Sequence, residues 1–275
     1  MSLAMIPEDR FTTGAPAYAA YLQTVEGRLR LDLAWENLRA FLFDESEAQR
    51  IDARRGQMRR ALDLGGGTGA LALRLAAQGF HVAVVDSSAT MLQLAKEAAR
   101  RADMLDQIEF HQADAAEAVA LFEPGTFDVA VCHNVLEYVP DPGAAMSALW
   151  GLVRTGGVVS LLARQRAGEA MRHALKAHDL AAARRALDAE WATESLYGGP
   201  ARVFDAHSLH TLAEDNGLTV FVERGVRVVA DYLPASLSET TEAYARLLAF
   251  ELELGARPEF ANVARYRQTL ARNEG

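Results

Sequence analysis

The chain is 275 residues long, half of them apolar and 24% charged, with 28 basic against 37 acidic side chains and a net charge of −9. That length and mixture suit one large hydrophobic core with additions and exclude gross disorder; the lone Cys132 excludes an internal disulfide or a thiolate zinc cluster and suits a reducing cytoplasm. No apolar run approaches the roughly 20 residues that span a bilayer, Met1-Ser2-Leu3-Ala4-Met5 reads as a cloning remnant ahead of Met5 and not as a signal peptide, and the acidic total argues against indiscriminate nucleic-acid binding.

Residues 16–44 read as helical, with Leu29, Leu33, Trp35, Leu38, Phe41 and Leu42 at helical spacings and charges between them. Residues 44–59 are charged and irregular. A short strand, 60–64, then runs into Gly65-Gly66-Gly67-Thr68-Gly69. A helix over 70–78, a strand over 81–86 and a helix over 89–102 follow, with Ser87 or Ser88 as candidate cap of the last. Strands at 108–111, 127–132 and 158–162 alternate with a short helix and with one that runs from Pro142 to Val153 and is stopped by Gly156-Gly157. Five strands alternating with helices predict an α/β fold with a parallel sheet covered on both faces. Beyond residue 164 the alternation breaks. Residues 167–192 read as one or two Ala-rich helices, and Gly198-Gly199-Pro200 as a loop. A helix at 205–215, a strand at 218–222, a helix at 238–254 and a strand at 265–270 complete the pattern.

The first strand–loop–helix is the most informative segment. Glycines let the backbone leave the strand sharply and let a ligand approach closely, while the next helix turns unpaired N–H groups toward it. Asp86, ending the second strand, is placed to accept both hydrogens of a ribose diol. Gly65, Gly67 and Ala70 spell the dinucleotide fingerprint G-x-G-x-x-A, so an NAD-dependent oxidoreductase is one reading. The same residues also follow Asp63 in the pattern Asp-x-Gly-x-Gly-x-Gly. A carboxylate there repels a pyrophosphate but attracts the ammonium and sulfonium of S-adenosylmethionine, and Asp63 tips the reading that way.

Leu62-Asp63-Leu64-Gly65-Gly66-Gly67-Thr68-Gly69, Val84-Val85-Asp86-Ser87-Ser88, Gln112-Ala113-Asp114, Phe127-Asp128-Val129 and Leu152-Val153-Arg154-Thr155-Gly156-Gly157-Val158 resemble, in order, the motifs of class I S-adenosylmethionine-dependent methyltransferases. The resemblance implies a Rossmann-like, seven-stranded, mostly parallel sheet with helices on both faces and an antiparallel last strand. It implies a helical cap at 1–59, a cofactor-binding core at 60–164, a helical insertion over the substrate at 165–204, and a completion of the sheet at 205–275. Gly27-Arg28-Leu29-Arg30 with Trp35, His133-Asn134-Val135-Leu136-Glu137-Tyr138-Val139-Pro140-Asp141-Pro142, Leu149-Trp150, Gly225-Val226-Arg227-Val228, Asp231-Tyr232-Leu233 and the helix from Tyr244 to Glu253 are similar to the narrower family of tRNA 5-carboxymethoxyuridine methyltransferases. That family esterifies the carboxylate of the wobble nucleoside. Its cofactor contacts match Arg30, Gly65, Gly66, Asp86, Asp114, Ala115 and His133; Asp63, Gly67 and Ser87 complete the expected cofactor set, with S-adenosyl-L-homocysteine as product. Where the family has a lysine-rich stretch, this chain has Arg184-Arg185 and then Asp188, Glu190 and Glu194.

Arg164, Arg166, Arg202 and Arg227 are the candidates for gripping an anionic acceptor, Arg227 first, with Tyr232 as hydrogen-bond donor or base-stacking surface. A carboxylate acceptor, with a pKa of roughly 4, is already ionised at neutral pH and needs no general base. Between residues 164 and 185 six basic side chains face two acidic ones, a local patch suited to a tRNA anticodon loop. The acidic whole leaves a small-molecule acceptor as the other reading, and a non-catalytic cofactor-binding module as a further one. Cys132 reads as a small buried apolar residue. Glu137 and Tyr138 are expected to serve packing or the start of the next helix. His207 and His210 lack a third ligand nearby, so no metal, and likewise no membrane, is expected.

Overall fold

A computed structural model describes residues 9–43, 58–194, 196 and 198–275. Met1 to Met5 and nearly all of the stretch read as irregular lie outside the described residues. The helical reading of 16–44 resolves into two helices, α1 (Asp9–Tyr21) and α2 (Val25–Leu42). The break falls where Thr24 caps α2 by accepting from the Gly27 amide at 3.1 Å.

From there the strand–helix alternation follows the sequence: β1 (Arg60–Leu64), α3 (Ala70–Ala77), β2 (His81–Asp86), α4 (Ala89–Arg101), β3 (Ile108–Gln112), β4 (Phe127–His133) and α5 (Pro142–Leu152). β5 (Val153–Arg164) is longer than predicted at its amino-terminal end. Gly156 and Gly157 do not merely stop the helix. They lie inside the strand, where its ladder with β4 shifts register between Phe127 and Val129. The Ala-rich stretch forms two short helices, α6 (Arg166–Leu175) and α7 (Leu180–Ala186). Its last residues are not helical: β6 (Trp191–Thr193) pairs antiparallel with β7 (Pro200–Arg202) in a hairpin that the reading of 167–192 as helix missed. α8 (Ala206–Glu214), β8 (Leu218–Val226), α9 (Thr241–Gly255), α10 (Pro258–Ala261) and β9 (Tyr266–Asn273) complete the order.

The main sheet has seven strands in the order β3-β2-β1-β4-β5-β9-β8. β9 runs antiparallel to both neighbours, β5 and β8, while the other ladders are parallel. This is the Rossmann-like arrangement expected of the chain. Alternate residues of each central strand feed two cores. Leu62, Leu64, Ala83, Val85, Ala130 and Cys132 pack with α5 and α8 on one face, and Ala61, Val82, Val84, Val129 and Val131 pack with α2, α3 and α4 on the other. Cys132 is fully buried in the first core, and burial pushes its thiol pKa up. No helix among the described residues is long and apolar enough to cross a membrane.

Candidate functional site

β1 is flanked by β2 on one side and β4 on the other, so the carboxyl ends of β1 and β4 frame the point where open α/β sheets bind ligands. β9 runs the opposite way, which brings its first residue, Tyr266, to the same edge. A cavity of 1180 Å³ opens there. Arg30, Gly65, Gly67, Asp86, Ser87, Asp114, Ala115, His133 and Arg227 all line it.

At one end is the glycine loop. Gly65 and Gly67 take positive φ values of 71° and 55°, which a side chain would resist. A Cβ on Gly65 would stand 2.2 Å from Val135 Cγ2, and one on Gly66 would stand 2.9 Å from Asp63 Oδ2. The Gly65 amide donates to the Val85 carbonyl at 2.7 Å, pinning the loop to β2. Asp86 accepts from the amides of Gly67 at 2.8 Å and Ser88 at 2.9 Å. A carboxylate has about four lone-pair sites, so Asp86 retains two for a ribose diol. Ser88 caps α4 through the Met91 amide, and Ser87 is left facing the cavity.

Asp63 and Gly66 do not line the cavity; Asp63 lies buried beneath the loop, against Gly66. Its Oδ2 has no hydrogen-bond partner, and burial together with the Asp86 charge pushes its pKa up to about 7. A buried carboxylate that accepts from the Ala72 backbone and keeps one oxygen unpaired beneath an open glycine turn fits a ligand carrying a cation and disfavours a pyrophosphate. His133 closes this end. Burial and the Arg30 charge bring its pKa down to about 3, so the ring is neutral, and Nε2 lies 2.8 Å from Ser160 Oγ. Glu137 does more than fill space: its Oε1 accepts from Asn134 Nδ2 at 2.8 Å and from the Arg164 amide at 2.9 Å, tying the exit of β4 to the end of β5.

The other end is cationic. Arg164 Nη1 donates to Glu169 at 2.8 Å and Nη2 to Glu194, while Arg265 pairs with Glu169 at 2.7 Å. Arg227, itself at φ 61°, donates to Asp231 through Nε at 2.8 Å and to the Tyr21 hydroxyl at 3.0 Å. Arg30 reaches the Tyr18 hydroxyl at 3.0 Å. Tyr266 stands among these four arginines.

Two of the four arginine candidates, Arg164 and Arg227, belong here. Arg166 and Arg202 do not line the cavity: Arg166 pairs with Asp205 at 3.1 Å, and Arg202 stacks over Trp191 at 4.6 Å. Tyr232 is also displaced from its expected place. In the turn Ala230–Tyr232 it is Asp231 that faces the cavity, and consecutive side chains of a 3₁₀ turn diverge by about 120°. Arg265, Tyr266, Glu169, Glu194 and Asp231 were not found by sequence reasoning. The one available signal was that an antiparallel last strand must begin at the site edge.

A family described as a methyltransferase domain matches residues 29–222. The tRNA 5-carboxymethoxyuridine methyltransferase of Escherichia coli K12 is 30% identical over 263 residues, 90% of each chain. The ubiquinone biosynthesis O-methyltransferase of Burkholderia orbicola is 41% identical over 101 residues, 37% of this chain and 42% of that one. Among solved structures, a putative S-adenosylmethionine-dependent methyltransferase from Listeria monocytogenes shares the fold, with a TM-score of 0.56 at 15% identity over 90% of this chain and 99% of that one.

Proposed function

The chain belongs to the class I S-adenosylmethionine-dependent methyltransferases, and from that membership we propose that its acceptor is the carboxylate of 5-carboxymethoxyuridine at a tRNA wobble position, which it converts to a methyl ester. The observation that carries this reading is the cluster of Arg164, Arg227 and Arg265 in the same cavity as the glycine loop. Such a cluster suits an acceptor that is itself an anion. The similar enzyme of E. coli is named for this nucleoside.

When bound, S-adenosylmethionine supplies a methyl group on a positively charged sulfur. Asp86 would hold its ribose, Asp63 would compensate its ammonium, and Gly65 to Gly67 would leave room for its backbone approach, with Arg30, Asp114, Ala115 and His133 completing the wall. A neutral His133 engaged with Ser160 is not poised as a base, and an ionised carboxylate requires none. The tasks left to the chain are to orient the acceptor through Arg227 and Arg164 and to keep water from it. Arg172 on α6 and Lys176 just beyond it stand on the cavity wall, and α7 carries Arg184 and Arg185, charges that a tRNA backbone would meet.

The test incubates the protein with labelled cofactor and tRNA carrying 5-carboxymethoxyuridine, followed by nucleoside mass spectrometry. The methyl ester is the expected product. Its absence would favour the second reading, a small-molecule acid as acceptor, to which the net charge of −9 is better suited.

A further inference from the structure

Tyr266 has a setting that methyl transfer from the cofactor does not by itself explain. The guanidinium carbons of Arg30, Arg265, Arg227 and Arg164 lie 5.7, 5.8, 5.9 and 6.0 Å from its ring centroid. They come from α2, from the residue before β9, from the turn after β8 and from the end of β5. The ring is 96% withdrawn from solvent, being 4% exposed, yet the residue lines the cavity. The opposing charges are those of Glu169 on α6, Glu194 after β6, Asp231, and Glu137 after β4. Arg172 adds a further cation on Glu169, and the phenols of Tyr21 and Tyr138 share the field.

Four guanidiniums surround the Tyr266 ring, and those of Arg164, Arg227 and Arg265 are each held by a carboxylate. Burial alone would raise a phenol, but the four guanidiniums, Arg164 foremost, bring Tyr266 down to about 8. A pocket walled by arginines, in which the Tyr21 hydroxyl is already bonded to Arg227 and the Tyr138 hydroxyl to Glu194, leaves the Tyr266 phenol to meet an added carboxylate. We propose that Tyr266 is an acceptor-binding residue: its phenol donates a hydrogen bond to the acceptor carboxylate, and its phenolate, balanced by Arg164, Arg227 and Arg265, takes the anion's place and closes the site. This rests on reading the acceptor as a carboxylate. Phenol and carboxylate coexist, whereas phenolate and carboxylate compete for one field, so a bound acceptor holds the proton on Tyr266.

The test is an ultraviolet titration of phenolate absorbance on the S-adenosylhomocysteine complex, as wild type minus Tyr266→Phe. Burial pushes Tyr21 and Tyr232 up, so the low transition of the interacting Tyr21–Tyr266 pair stands apart from the rest, and Tyr266→Phe is the change that removes it. With 5-carboxymethoxyuridine as free nucleoside the transition moves up by at least about one pH unit; with uridine it stays. An unmoved transition overturns the proposal, as does the lack of any transition near pH 8. In steady state the wild-type KM for the acceptor climbs about tenfold per pH unit above that transition, with kcat nearly constant. Tyr266→Phe has a raised KM that stays level with pH; a parallel climb in that variant overturns the role. If wild type esterifies no tRNA but the nucleoside still moves the transition, the tRNA reading fails and the anion site stands. Esterification with an unmoved transition removes only Tyr266.

Discussion

The carboxylate of Glu251 accepts a hydrogen bond from the amide of Val228 at 2.6 Å, immediately beyond Arg227. The same carboxylate takes the amides of Val229 at 2.9 Å and Ala230 at 2.6 Å. A fully buried acid on α9 thus fixes the backbone that turns Arg227 into the cavity at a positive φ. Glu251→Gln replaces one acceptor oxygen by a donor that faces amide hydrogens. We expect a loss of about 1–3 kcal/mol of stability and a several-fold rise in acceptor KM. Affinity for S-adenosylhomocysteine should be unchanged. Chemical denaturation, steady-state kinetics and calorimetry read the three quantities separately.

Arg227→Ala should spare cofactor affinity and lower turnover at least about tenfold, or roughly 1.4 kcal/mol in the barrier. It also strands Asp231, whose side chain is 4% exposed and bonded to Arg227. Removing one partner of a buried pair costs about 3–5 kcal/mol. Arg227→Ala with Asp231→Asn should recover much of the stability and none of the turnover. Recovery of turnover in the double variant would remove Arg227 from the acceptor site.

Asp63 predicts a proton linkage. Its folded pKa of about 7 lies above the ordinary carboxylate value because of burial and Asp86, so folding favours the protonated acid. Its contribution to stability is therefore present below about pH 4 and is lost as pH rises toward 7. A cofactor ammonium held across the glycine loop from it would favour the carboxylate. Binding of S-adenosylhomocysteine at pH 6 should thus release a proton, and the release should fade by pH 8. Calorimetry in buffers of different ionisation enthalpy detects it. Asp63→Asn should abolish the buffer dependence and weaken binding.

Gly65→Ala should weaken cofactor binding by at least about tenfold. The added methyl meets Val135 Cγ2 at 2.2 Å, and φ of 71° adds strain for any L side chain. Overpacking of this kind costs about 1–3 kcal/mol. Gly65→Ala combined with Val135→Ala relieves only the collision. Partial recovery of binding in that pair would assign the remainder to backbone strain.

How much of this was legible in the sequence depended on distance along the chain. The glycine loop, Asp86 and His133 sit at strand ends, where a short local pattern fixes both the element and its chemistry. The cationic end is assembled from positions 30, 164, 227, 265 and 266, and only the sheet topology makes them neighbours. Arginine as a residue type did not distinguish Arg164 from Arg166. The end of β5 sends Arg164 to Glu169 and Glu194, whereas Arg166, at the first turn of α6, meets Asp205. The β6–β7 hairpin was hidden for another reason. Three-residue strands carry little periodicity, and the alanines before them extended a helical pattern past its end.

The insertion of β9 between β5 and β8 also orders events in time. A chain is made from its amino terminus, and a domain folds as a unit once its parts are present. The core beneath β1 and β4 includes Leu209 and Ala213 of α8 and Ala271 of β9, so the crevice itself rests on elements made after β5. β8 pairs with β9 alone, so it waits without a neighbour until residues 266–273 emerge. Arg227, Arg265 and Tyr266 therefore come beside the glycine loop only once that strand is in place. The last strand to be made is the one that joins the two ends of the cavity.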